Sequence, residues 1–138
     1  MGASAPTGIL VVDKPGGMSS HAVVSRVRKW FGTSKVGHAG TLDPMATGVL
    51  VLGLGKGTKL LTYLVGADKT YSATIRLGVG TPTDDADSAP DRFAPAEAIR
   101  NVDQASIARG VERLTGHIEQ VPSAVSAIKV DGKRAYDL

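Results

Sequence analysis

Twelve residues, Gly37-His38-Ala39-Gly40-Thr41-Leu42-Asp43-Pro44-Met45-Ala46-Thr47-Gly48, constrain this chain more than any other stretch. They hold one acidic side chain among turn-forming glycines and a proline, and they lead straight into the apolar run Val49-Leu50-Val51-Leu52. The pattern reads as a polar loop feeding a buried strand. Gly37, Gly40 and Gly48 let the backbone bend or approach another group closely, and Pro44 fixes the backbone after Asp43, so the carboxylate is held in one place. Loops carried by a rigid scaffold are a common seat of chemistry. The competing reading is structural: Asp-Pro pairs also start helices. Asp43 would then be an N-cap and Pro44 the first residue of a turn through Thr47, which Gly48 ends; composition alone favours this cap.

Around this loop the chain reads as short alternating elements. Ile9 to Val12 is a buried strand ended by Lys14-Pro15-Gly16-Gly17. Ser19 or Ser20 caps a helix in which Val23, Val24, Val27, Trp30 and Phe31 form the buried stripe, with Gly32 as its stop. Val49 to Leu54 is the next strand. Thr58 to Val65 follows as a helix with Leu60, Leu61, Leu64 and Val65 on one side. Thr70 to Leu77 alternates as a half-buried strand, with Tyr71, Ala73, Ile75 and Leu77 on one face. Residues 81–103 are a surface connection, proline-rich and acidic through Pro95, with no apolar period there. Asp103 caps a helix whose buried stripe is Ile107, Val111 and Leu114. Ile118 to Lys129 continues extended, and Asp131-Gly132 has the form of a two-residue hairpin turn before Lys133 and Arg134. Strands and helices do not alternate regularly enough for a doubly wound sheet. The expected class is α+β, with a mixed, largely antiparallel sheet and flanking helices.

At 138 residues the chain suits one domain that buries roughly two thirds of its unfolded surface. It has no cysteine, hence no disulfide framework and no thiolate metal site. Its three histidines show no helical ligand spacing, so no metal is expected. No apolar run approaches the ~18 residues of a membrane span, and the start of the chain lacks the form of a targeting signal. The reading is a soluble, cytoplasmic protein. Its net charge of +3 is uneven: residues 1 to 80 carry nine Lys or Arg against three Asp, residues 81 to 119 four against eight acids. A basic half bearing the loop suits an anionic partner such as nucleic acid, although a merely solvated surface explains it equally. Gly53-Leu54-Gly55-Lys56-Gly57-Thr58-Lys59 invites comparison with phosphate-cradling loops. It fails both patterns, since Leu50 stands where the P-loop needs glycine, and it reads as a strand-to-helix turn. Glycoside hydrolysis mostly requires paired carboxylates, and Asp43 has no acidic neighbour in its loop. One carboxylate in a nucleophilic role is what remains.

Four stretches, in order, resemble the TruB family of tRNA pseudouridine synthases. They are Asp13-Lys14-Pro15-Gly16-Gly17-Met18-Ser19-Ser20-His21; Gly37 to Gly48; Lys69-Thr70-Tyr71; and Gln120-Val121-Pro122-Ser123-Ala124-Val125-Ser126-Ala127-Ile128-Lys129 through Gly132 and Tyr136. The last departs from the family pattern at Ser123, where a second proline is expected. The resemblance implies isomerisation of a uridine in the T-loop of transfer RNA, with no cofactor. Asp43 would be the catalytic nucleophile, on a base flipped out of the RNA. It further implies Tyr71 as the face that holds the base, His38 in the space the flipped nucleotide leaves, and Lys14 with Pro15 at the floor of the catalytic loop, in contact with substrate. Lys129, Lys133 and Arg134 would touch RNA backbone. The alternatives are a non-catalytic RNA-binding module and a nucleotide-dependent transferase using the Gly53 to Lys59 loop.

The same resemblance implies that residues 1–138 are the N-terminal part of a catalytic domain, with 120–138 the start of an RNA-clamping insertion. Family members continue with a strand whose arginine pairs with the catalytic aspartate, and with a small C-terminal RNA-binding domain. The 138-residue chain by itself is therefore expected to be inactive.

Overall fold

The computed structural model describes residues 6–119, 129–130 and 133–134. The chain divides into two compact units, Met1–Ser72 and Ala73–Leu138.

In the first unit β1 (Gly8–Lys14), β2 (Val36–His38) and β3 (Gly48–Leu54) form an antiparallel sheet in the order β1-β3-β2. Register explains its sidedness. Leu10 pairs with Leu52, Val12 with Leu50 and Lys14 with Gly48, so these positions share the face that carries the core. Helix α1 (Ser20–Trp30) supplies Val23, Val24 and Val27 to that core, joined by Val36 and Leu42. Ser19 is its N-cap, accepting from the Ala22 amide at 3.1 Å.

The apolar stripe expected on α1 ends sooner than its sequence suggests. Trp30 is 73% exposed and Phe31 is also exposed, and neither side chain packs into the core. The runs Ile9 to Val12 and Val49 to Leu52 are likewise buried on one face alone. Leu50 and Leu52 are enclosed, while Val11 and Val49 on the opposite face remain open.

After β3 the chain winds into a 3-10 helix, Gly55–Tyr63, in place of the expected α-helix from Thr58 to Val65. Only Leu61 of its leucines is buried; Leu60, Leu64 and Val65 are exposed. Close backbone contact forces the tight winding. A side chain at Gly53 would stand 2.8 Å from the Gly57 carbonyl, and one at Gly57 would collide with the backbone of Gly8. These glycines are packing positions in the strand-to-helix turn.

The strand expected from Thr70 to Leu77 does not form. Its residues have no described strand beside them, so their backbone groups have no ladder to join, and Ile75 and Leu77 are exposed. In the second unit β4 (Val79–Gly80) pairs with β5 (Arg92–Phe93). This gives the expected surface connection a tied base: Arg92 forms ion pairs with Asp84 at 3.0 Å and Asp91 at 3.3 Å. Helices α2 (Ala96–Arg100) and α3 (Gln104–Arg113) follow. Asp103 does cap α3, accepting from the Ser106 amide at 2.7 Å, but the stripe Ile107, Val111 and Leu114 is exposed because no described element packs on it. Strands β6 (Lys129–Val130) and β7 (Lys133–Arg134) pair as the expected hairpin requires. Gln120 to Ile128, the Asp131-Gly132 turn and Tyr136 lie outside the described residues. Helices combined with antiparallel sheets make the class α+β, as expected. Among the described residues no helix is long and apolar enough to cross a membrane.

Candidate active site

The segment between β2 and β3 is a loop pinned from below at two points, one on each side of Asp43. On one side Ser20, only 2% exposed, holds the Leu42 backbone twice. Its hydroxyl donates to the Leu42 carbonyl at 3.1 Å and accepts from the Leu42 amide at 2.9 Å. On the other, the Pro44 carbonyl accepts from the Gly17 amide at 2.8 Å and from Lys14 Nζ at 3.1 Å. Two adjacent serines thus divide the work: Ser19 caps α1 and Ser20 secures the loop. The sequence carried this signal in the Ser19-Ser20 pair, but either residue alone reads as a cap.

Lys14 is fully buried at the end of β1, and its ammonium also donates to the carbonyls of Met18 at 2.7 Å and Pro15 at 3.1 Å. Three protons meet three acceptors, which is how a cation is tolerated away from water. The expected contact of Lys14 with substrate therefore has no donor left to make it: this residue meets the loop from beneath. The β1 alternation foreshadows this, because Leu10, Val12 and Lys14 fall on one face.

Asp43 is exposed, and its carboxylate accepts no hydrogen bond from the described residues. It caps no helix. The Ala46 amide donates to the Asp43 backbone carbonyl at 3.1 Å, a bend that stops at one turn before β3 begins. The carboxylate thus stands fixed at its backbone and unengaged at its oxygens.

His38 closes β2 and is half-buried; its Nδ1 lies 2.7 Å from the Gly40 carbonyl. A carbonyl only accepts, so Nδ1 donates, and a neutral ring then presents Nε2 as an acceptor. Gly40 has φ of 92°, a left-handed conformation that suits glycine.

Beside the loop lies a groove of about 350 Å³ whose apolar lining includes Val49, Val51 and Leu64. Tyr71 forms part of its wall and is 59% exposed, less enclosed than a strand position would have made it. Lys69, Thr70 and Asp68 line it too, with Thr41 and Thr47 from the loop. Asp43 and His38 are outside this lining, although Leu42 and Ala39, their chain neighbours, belong to it. Lys69, which the sequence places in the Lys69-Thr70-Tyr71 stretch without a role, reaches Gly40 of the aspartate loop. Lys129, Lys133 and Arg134 belong to the second unit, where Lys129 faces Arg134 across the β6–β7 pair.

A profile of the TruB family pseudouridylate synthase (N terminal domain) matches residues 28–138. A tRNA pseudouridine synthase B of Leifsonia xyli is 63% identical over 130 residues, 94% of this chain and 43% of that protein. One of Mycobacterium leprae is 58% identical over 137 residues, covering 99% of this chain and 42% of the relative. One of Corynebacterium diphtheriae is 54% identical over 134 residues, or 97% and 45%. The chain thus spans somewhat less than half the length of these relatives.

Proposed function

The chain belongs to the TruB family of pseudouridylate synthases, and on that premise we propose that it supplies the catalytic aspartate loop of an enzyme that isomerises uridine to pseudouridine in the T-loop of transfer RNA, in the cytoplasm. One observation carries the reading. The loop backbone is fastened on both sides of Asp43 by buried groups, Ser20 and Lys14, while the carboxylate itself is exposed and has no partner among the described residues. A cap would spend that carboxylate on backbone amides; a nucleophile needs it free and in a fixed place.

The reaction breaks the N1–C1′ bond of uridine, turns the base, and joins C5 to C1′, with the C5 hydrogen leaving as a proton and the freed N1 taking one up. Atoms balance without water or a redox partner. A carboxylate serves by attack at C1′, by attack at C6, or by removing a sugar proton, and the geometry of Asp43 is compatible with each. A base stacked in RNA is beyond reach of any side chain, so the target nucleotide is flipped outward. The apolar groove and the Tyr71 ring suit a pyrimidine face, and His38, with Nε2 as acceptor, suits the space the nucleotide leaves. Lys129, Lys133 and Arg134 contribute cations for RNA backbone, which fix position and carry no sequence choice.

The test uses a synthase of the relatives' full length that carries this chain, incubated with a T-arm hairpin and digested to nucleosides. Pseudouridine at the loop uridine is expected, and its loss when that uridine is replaced by cytidine. A non-catalytic RNA-binding module would bind the hairpin and leave every uridine unchanged.

A further inference from the structure

We infer that Lys69, with the hydroxyls of Thr41, Thr47 and Thr70, forms a phosphate subsite that takes a backbone phosphodiester of the RNA beside the flipped nucleotide; this rests on the synthase reading. Lys69 crosses from the strand-less segment after the 3-10 helix to the aspartate loop and lays the end of its side chain on Gly40. A Cβ at Gly40 would stand 3.0 Å from Lys69 Cε and closer still to Nζ, so the glycine makes room for this lysine as well as for its own φ of 92°. A long cationic side chain is thus docked against the loop that bears Asp43.

Its ammonium forms no ion pair or hydrogen bond with the described residues. Among the described residues the carboxylate ion pairs all involve Arg92, although Asp68, next in sequence, lines the same groove. The hydroxyls of Thr41, Thr47 and Thr70 also make no hydrogen bond to the described residues. An ammonium and three hydroxyl donors share one groove with the apolar side chains of Val49, Val51 and Leu64, a combination that matches the two halves of a nucleotide. The lysine acts as a point charge on phosphate, so the subsite positions the strand and reads no base.

The experiment compares wild-type intact synthase with Lys69→Met and Lys69→Arg in binding a T-arm hairpin across salt concentrations. Met preserves the aliphatic stem on Gly40, so the melting temperature serves as a control that the loop is undisturbed. Lys69→Met should weaken binding several-fold and flatten the log–log salt slope by about 0.7–0.9, one counterion; Lys69→Arg should retain both. Replacing the phosphates that flank the target uridine with neutral methylphosphonates should weaken wild-type binding and leave Lys69→Met insensitive. An unchanged slope in Lys69→Met, or equal sensitivity of both proteins to the neutral linkages, would overturn the subsite. A wild-type protein that gives the expected slopes yet converts no uridine would defeat the synthase reading and leave the phosphate subsite standing.

Discussion

Ser20 and Lys14 do more for the Asp43 loop than any residue within it. Ser20→Ala removes a donor and an acceptor at once, leaving the Leu42 amide and carbonyl unmatched. The expected cost is about 1–3 kcal/mol per orphaned group, read as a lower melting temperature, with turnover falling further than substrate binding because Asp43 loses its fixed position. Lys14→Met should destabilise by on the order of 3 kcal/mol. Of its three carbonyls only that of Pro44 retains another donor, the Gly17 amide. Thermal melting and single-turnover rates check both. Tyr71 separates differently: if its ring packs on the target base and its hydroxyl assists catalysis, Tyr71→Phe retains binding and lowers turnover, whereas Tyr71→Leu loses both. Equal activity in all three would make it an ordinary exposed aromatic. The loop that carries Asp43 and His38 was legible in the sequence because glycines bound it and an apolar strand follows it. The inward lysine was not, since a charged residue reads as surface unless its place on a strand face is counted.

At the scale of elements, β1, α1 and β3 were readable from apolar spacing and α3 from its Asp103 cap, while the winding of Gly55–Tyr63 and the absence of a strand from Thr70 to Leu77 were not. Spacing cannot reveal that Gly57, inside the Gly55–Tyr63 helix, rests on Gly8. Gly57→Ala should therefore cost about 1–3 kcal/mol through overpacking, where an exposed glycine such as Gly66, with open space around it, should tolerate alanine. Denaturant unfolding of the two variants makes the comparison. The alternation from Thr70 to Leu77 and the stripe on α3 were read correctly as patterns, yet both need a neighbour that the sequence of these segments does not contain. Helix α3 stands on its own ends. The Asp103 carboxyl is held below its usual range, first by the Ser106 hydroxyl and then by the Ser106 amide. A depressed carboxyl stabilises fully above its unfolded pKa of ~3.9 and ceases to do so as pH falls through the lower folded value. The protection factor of the Ser106 amide, its exchange rate compared with the intrinsic rate at each pH, should thus hold from neutral pH down to about pH 4 and fall only below it. Asp103→Asn, which still accepts a hydrogen bond but carries no charge to lose, should abolish that acid step.

For the whole molecule, the two units differ in how much they enclose. The first has a core of Val24, Val27, Leu50 and Leu52, whereas α2 and α3 bury no residue. Hydrogen exchange should follow that difference, with protection concentrated in β1, α1 and β3 and rapid exchange in α2 and α3. The charge is uneven in the same sense, since the basic first eighty residues include the aspartate loop and the groove. The central claim concerns one carboxylate in that unit, and tritium release from RNA labelled at uridine C5 tests it most directly, because forming the new C–C bond expels that hydrogen. In the intact synthase, Asp43→Asn keeps the shape and the fold and removes the charge. A folded variant that releases no tritium above background is the predicted result; release near the wild-type rate would contradict the account.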